Sequence, residues 1–311
     1  MSHSYRTLDV IVHGTLCLDL LWRMPALPAP GGYSEIAEER KSIGGEAANT
    51  AIALQRWGVK TALVVNEIGQ DSEGDLLRSL IERDAPELDI RTSLNSPTAN
   101  TPYCICIATD DGKRTMYGRY FEGLTVPDLD PALAIDTRLF TSEPNAYQAA
   151  RSAARIAHAG GAEVVLMDFA RDDEMNRIST VAITSTDHIG WAEDEQALIE
   201  FARSTRERTG PTVIVTRGDR GCVAADAAML GENVTLYPAF KAPRIVDTTG
   251  CGDIFRAGVL FGQLSGWDIR QTIRFASAAA ALKCGEMGGW AGVRPVDEIL
   301  SFIETQDWSE R

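Results

Sequence analysis

The stretch DTTGCGDIFRAG, Asp247–Gly258, sets Gly250, Cys251 and Gly252 between two threonines and an aspartate, just ahead of an apolar run. Small residues at a helix start leave backbone N–H groups unpaired at the positive end of the helix dipole, which suits an anion such as a phosphate. Glycine at 250 and 252 lets the backbone approach that anion closely. Asp253 then falls in the first helical turn, its carboxylate beside the cradle and expected to have a low pKa there. The same residues also read as a flexible cap followed by a favourable first-turn acid. The rest of the chain must decide between the two.

Three further patterns bear on that choice. SIGGEAANTAIALQRWG places Gly44 and Gly45 at the entrance to a long helix that carries Asn49, an amide able to donate and accept. Asp19 follows the first strand in HGTLCLDLL, where open α/β sheets gather ligand residues at their carboxyl ends. VTRGDRG puts Thr216, Gly218 and Gly221 in a turn after another strand. Each alone is also a plain turn, surface residue or loop carboxylate. Together they suggest one edge of one sheet.

The elements that must position these residues follow from apolar spacing. LDVIVHG (Leu8–Gly14) reads as a buried strand, Ala48–Gly58 as a helix, Thr61–Gly69 as a strand and Asp71–Asp84 as a helix. Helix–strand alternation continues to VTRG, a strand is expected to end at Val246, and helices are expected over Gly252–Leu264, Asp268–Cys284 and Val296–Thr305. The pattern predicts a three-layer α/β/α sandwich with a mainly parallel sheet. Leu18–Gly45 and Asn100–Gly123 break the rhythm with period-2 alternation. DDG at 110–112 signals a hairpin, so a small separate antiparallel sheet is expected.

Composition excludes other classes. A net charge of −14 over 311 residues argues against a nucleic-acid partner. No apolar run reaches the ~20 residues that span a membrane, and no cleavable leader is visible. Six dispersed cysteines without a CxxC read as free thiols of a reducing cytoplasm, with no zinc site, and Cys104 and Cys106 as small packing residues. The four histidines show no ligand spacing.

In this order and spacing the motifs resemble the PfkB (ribokinase-like) family of carbohydrate and nucleoside kinases, from Val10 to about Ile303. The signatures are GGEAANTAIALQRWGVKTALVVNEIGQDSEG and DTTGCGDIFRAG, supported by DDGKRT, VTRGDRG and FASAAAAL leading to GGWAGVRP. The C-terminal half looks most like the sulfofructose kinase-type branch. The resemblance implies one ribokinase-like domain over 1–311, with lid segments at about 18–45 and 98–123 that close over a sugar and often form a homodimer. It implies ATP-dependent phosphorylation of a hydroxyl, with Asp253 as base and the backbone of Gly250, Cys251 and Gly252 as anion hole. It implies substrate contacts from Asp19, Gly44, Gly45, Asn49 and Glu143, and nucleotide contacts from Thr216, Gly218, Gly221 and Ser277. Glu195 would serve Mg²⁺, and Asp247 and Thr249 match positions that line a monovalent-cation (K⁺) site in many members.

The chain departs from the family at several points. Cys251 stands where Ala is usual, and is expected to contribute only its backbone. Ala192 replaces the Asn of an Asn-x-x-Glu pattern. Cys17 and Glu46 replace an Asn and a Lys found in ribokinase-type members, which argues against ribose. Glu46 also argues against a phosphorylated or sulfonated group close by. Arg114 and Arg119 read as solvated lid residues, and Arg256 as packed along a helix surface. A ketose or sugar acid is the expected substrate. A nucleoside is the alternative within the family, and a non-catalytic sugar or nucleotide sensor the alternative outside it.

Overall fold

A computed structural model describes residues 6–110, 112–190, 194–228 and 234–308, with Tyr147 described by its backbone only. The chain opens with β1 (Leu8–Gly14), β2 (Cys17–Met24), β3 (Glu38–Gly44), α1 (Glu46–Arg56), β4 (Thr61–Val65), α2 (Ser72–Asp84), β5 (Asp89–Ile90), β6 (Tyr103–Thr109) and β7 (Arg114–Arg119). It continues through α3 (Pro131–Ile135), β8 (Thr137–Ser142), α4 (Tyr147–Ala159), β9 (Glu163–Met167), α5 (Asp173–Ile178), β10 (Val181–Ser185), α6 (Thr186–Ile189) and α7 (Glu195–Thr209). Then come β11 (Thr212–Thr216), β12 (Cys222–Ala225), β13 (Val234–Tyr237), α8 (Cys251–Leu264), α9 (Ile269–Lys283) and α10 (Val296–Glu304).

Nine strands form one sheet in the order β13-β12-β11-β10-β9-β8-β1-β4-β5. It is parallel from β11 to β5, and only β12 runs against its neighbours. Its central strands are buried on both faces. Val10 and Val12 of β1 pack towards α1, α8 and α9, while Ile11 between them packs towards α4. Such two-sided burial explains why these strands read as continuous apolar runs. Chain order reverses direction at β1, which lies between β8 and β4. The carboxyl ends of β1 and β8 therefore flank the crevice where doubly wound sheets place ligands.

The irregular segments form a second, four-stranded sheet, β3-β2-β6-β7. Each segment makes its own antiparallel pair, β2 with β3 and β6 with β7, and the two pairs join through a parallel β2–β6 contact. Among the described residues no helix is long and apolar enough to cross a membrane.

Local chemistry sets the helix boundaries near the site. Asp71 caps α2 through Gly74 N, and Asp268 with Gln271 forms a capping box on α9. The expected strand ending at Val246 is absent. Residues 238–250 form instead an extended connection whose end is held by Val246 and Asp247 N–H groups donating to Cys284 O. An apolar β-branched pair, Ile245-Val246, gave the strand signal, but no neighbouring strand is available to pair with it.

Candidate active site

Gly250 caps α8 with φ +77°, and a Cβ there would lie 2.2 Å from Gly289 O. Positive φ and lack of space together demand glycine. The preceding loop is pinned on three sides. Asp247 Oδ1 accepts from Thr249 N and Oδ2 from Gly288 N, each at 2.8 Å, and Lys283 Nζ donates to Asp247 O at 2.9 Å. Cys251 N reaches Thr248 O at 3.3 Å. The cradle therefore presents chiefly the N–H groups of Gly252 and Asp253, which helix geometry leaves without intrahelical acceptors. The Cys251 thiol turns away, towards Cys284 Sγ at 3.2 Å and Ala280 O.

Asp253 is buried, and its Oδ2 accepts from Asn49 Nδ2 at 2.8 Å. Its pKa is raised to about 7, first by burial and next by Glu46, against the pull of Arg256, the Asn49 hydrogen bond and Arg114. The low pKa expected from the helix terminus is thus overturned. A terminal dipole is worth about 0.3–1 kcal/mol, less than one pKa unit at roughly 1.4 kcal/mol, so desolvation decides. Asn49 Oδ1 is buried without a partner, an acceptor left free beside Asp253.

The small sheet supplies the opposite wall. Register pairs Asp19 with Cys104, Leu21 with Cys106, Cys104 with Gly118 and Cys106 with Met116, so these residues share one face. Leu21, Cys104 and Cys106 pack on Met287 and Val246 beside the cradle loop. Asp19 is buried against Gly44, where a Cβ would lie 2.1 Å from its carboxyl carbon, and it accepts from Cys17 Sγ at 3.4 Å. Burial raises its pKa to about 7. The Cys104 and Cys106 thiols and the Asp19 carboxylate lie within 4.8 Å of one another. Gly45 has φ +100° at the α1 N-cap, tight against Thr15 O.

Beneath the cradle lies a buried polar network. Arg256, expected on a helix surface, is fully enclosed. It donates to Thr50 Oγ1 at 2.8 and 3.0 Å, to Glu46 O at 2.7 Å and to Glu143 Oε2 at 3.4 Å, and lies 3.9 Å from Asp253 Oδ1. Glu143, expected at the substrate, is also fully enclosed, held by Thr15 N at 2.7 Å and Thr15 Oγ1 at 3.1 Å, with its pKa raised by burial to about 8. It also accepts from the Arg256 guanidinium. Glu46 Oε1 accepts from Asn145, Oε2 is buried without a partner, and burial raises its pKa.

The remaining candidates lie further along the sheet edge. Thr216 Oγ1 donates to Thr184 O, Gly218 opens a short turn, and Gly221 sits against Tyr237 O. Glu195 pairs with Arg217 at 2.8 Å and makes no contact with Asp247 or Thr249 among the described residues. Ser277 lies partly exposed in mid-α9. Ala192 is outside the described residues. Arg119 donates to Tyr103 Oη and lies over the ring of Tyr120. Arg114, read as solvated, instead reaches Thr248 O at 2.7 Å and bridges the small sheet to the cradle loop. The sequence reading also missed Thr15, Lys283 and Asp168. Only Asp168 left a signal, as a carboxylate directly after a strand; in the structure it has φ +63° and accepts from Thr184.

Comparison with known proteins gives the family. Residues 8–294 match the model of the pfkB family of carbohydrate kinases. A nucleoside kinase of Methanothermobacter thermautotrophicus is 26% identical over 96% of this chain and 96% of its own. A ribokinase of Haemophilus influenzae is 22% identical over 96% and 99%. Arabidopsis thaliana ribokinase, solved with ribose and ATP, shares the fold at TM-score 0.77 and 18% identity, covering 96% of this chain and 99% of that one.

The raised carboxyl pKa has a stability consequence. Asp19 folds more readily protonated, so its favourable contribution is complete below about pH 4, its unfolded value, and is lost as pH rises through about 7. Asp19→Asn, which cannot ionise, is expected to melt increasingly above the wild type between pH 5 and pH 8. A pH-independent difference in melting temperature would contradict the assignment.

Proposed function

From its membership of the pfkB family of carbohydrate kinases, which makes this chain an ATP-dependent sugar or nucleoside kinase, we propose that it phosphorylates a hydroxyl of a small sugar, with a neutral ketose as first choice. The observation that carries the reading is Asp253: a buried carboxyl with pKa about 7, held by Asn49 at the first turn of α8 beside unpaired N–H groups. A general base works best with a pKa near the working pH. The substrate oxygen attacks the γ-phosphorus of ATP, its proton passes to Asp253, and the bond to the ADP oxygen breaks. The Gly252 and Asp253 N–H groups, presented by the 250–252 turn, hold charge on the phosphoryl group.

Asp19 and Asn49 Oδ1 supply acceptors for further sugar hydroxyls. A sugar acid is less suited, because Asp19 and Glu46 would repel its carboxylate. A nucleoside is the second reading. Phe121, whose ring would touch a Cβ at Gly118 on the Asp19 face, is the observation that favours it.

Mg²⁺, when bound with the nucleotide, neutralises phosphate charge. Glu46 would fit it better than Glu195. Glu46 Oε2 is a buried carboxylate oxygen without a partner, whereas Glu195 is already paired with Arg217. Thr216, Gly218 and Gly221 would hold the nucleotide at the turn after β11, with Ser277 on its adenine side. The six cysteines are free, which supports a reducing, cytoplasmic setting.

The small sheet acts in this reading as a lid that excludes water from the phosphoryl group, tied to the cradle by Arg114. Its outer strand β7 is an open edge, and Met116 and Tyr117 are half exposed. A homodimer through this sheet would cover both. Light scattering at micromolar concentration should give twice the chain mass, and a monomer would remove the dimer.

Asp253→Asn should lower turnover by at least about 10³-fold, within the span of a lost base, while ADP affinity by calorimetry stays near wild type. In the wild type, kcat/KM should fall below about pH 7, because Asp253 then holds its proton. Turnover within tenfold of wild type for the variant would refute the base.

A further inference from the structure

Lys283, the last residue of α9, is fully enclosed at 0% exposure. Its ammonium donates to Asp247 O at 2.9 Å, two residues before Thr249 and three before the Gly250 cap. Enclosing a lone cation costs several kcal/mol unless its surroundings compensate. Here the C-terminal end of α9 supplies partial negative charge, and the carboxyl of Asp19 lies close enough to feel the ammonium. Asp247 does not pair with it as a salt bridge: both its carboxylate oxygens are taken by the N–H groups of Thr249 and Gly288.

These are the positions at which the family resemblance implied a monovalent cation. They do not fit one. The Asp247 carbonyl already accepts from a buried ammonium, and both Asp247 carboxylate oxygens accept from backbone N–H groups. A K⁺ ion would have to displace a buried side chain and take over its acceptor.

We propose that Lys283 is the built-in cation of this cradle: its fixed charge holds the 247–250 turn in the conformation that presents the Gly252 and Asp253 N–H groups, and the chain therefore needs no K⁺. Lys283 is a positioning residue, since it acts through the Asp247 carbonyl. Its link to phosphoryl transfer rests on the kinase reading, but the cation site itself does not.

The test is therefore made first without turnover. Wild-type protein should melt at the same temperature in potassium chloride and in choline chloride at equal ionic strength, and bind ADP equally well in both by calorimetry. Lys283→Ala leaves space beside Asp247 O. In choline chloride it should melt lower and bind ADP at least threefold more weakly, with both partly restored by K⁺ through mass action. A K⁺-specific rise of more than about 2 °C in the wild type overturns the inference. So does a folded Lys283→Ala protein with wild-type ADP affinity in choline chloride. If the variant does not fold, the wild-type comparison alone decides. Failure of the kinase reading would show separately, as absence of ATP turnover with any sugar or nucleoside.

Discussion

Arg256 carries a charge that has no access to water, and the site is arranged around satisfying it. Its guanidinium donates to Thr50 and the Glu46 carbonyl on α1 and to Glu143 after β8, and it lies 3.9 Å from the Asp253 carboxylate one turn back on α8. Leaving a buried charge without partners costs about 3–5 kcal/mol. The entrance of α1, the start of α8 and the carboxyl end of β8 are therefore fixed relative to one another. Thr15 extends the brace to β1 through two hydrogen bonds to Glu143. The topological crevice between β1 and β8 is thereby turned into a rigid floor beneath Asp253.

On that floor the electrostatics are set by desolvation. Asp19, Glu46, Glu143 and Asp253 all have carboxyl pKa values raised by burial. Two cations oppose this from different sides, Arg256 below Asp253 and Lys283 behind Asp247. A third, Arg114, comes from the small sheet and reaches the Thr248 carbonyl. Movement of that sheet would thus change the charge near Asp253 as well as its exposure to water. One arginine of the small sheet thus acts both on the cradle loop and on the charge felt by Asp253.

Much of this was legible in the sequence. Apolar spacing and caps placed α8, α9 and α10 to within a residue or two, because Asp268 and the Gly250 turn are local signals. Gly250 and Gly44 were readable because close backbone approach leaves glycine as the only fit. Side-chain partners set by tertiary packing were not. Arg256 near the start of α8 looks like a surface residue until α1 is brought over it. Glu143 looks like a loop carboxylate until Arg256 lies above it. The pKa of Asp253 depends on burial, which no local pattern states.

The central claim is that Asp253 is a carboxyl kept near neutrality by its enclosure. The most direct measurement is a pH titration of the carboxyl infrared bands of the ligand-free protein, taken as a difference between wild type and Asp253→Asn. The account predicts that the variant loses one carboxyl titrating near pH 7. A missing band that titrates near pH 4, the ordinary aspartate range, would contradict it.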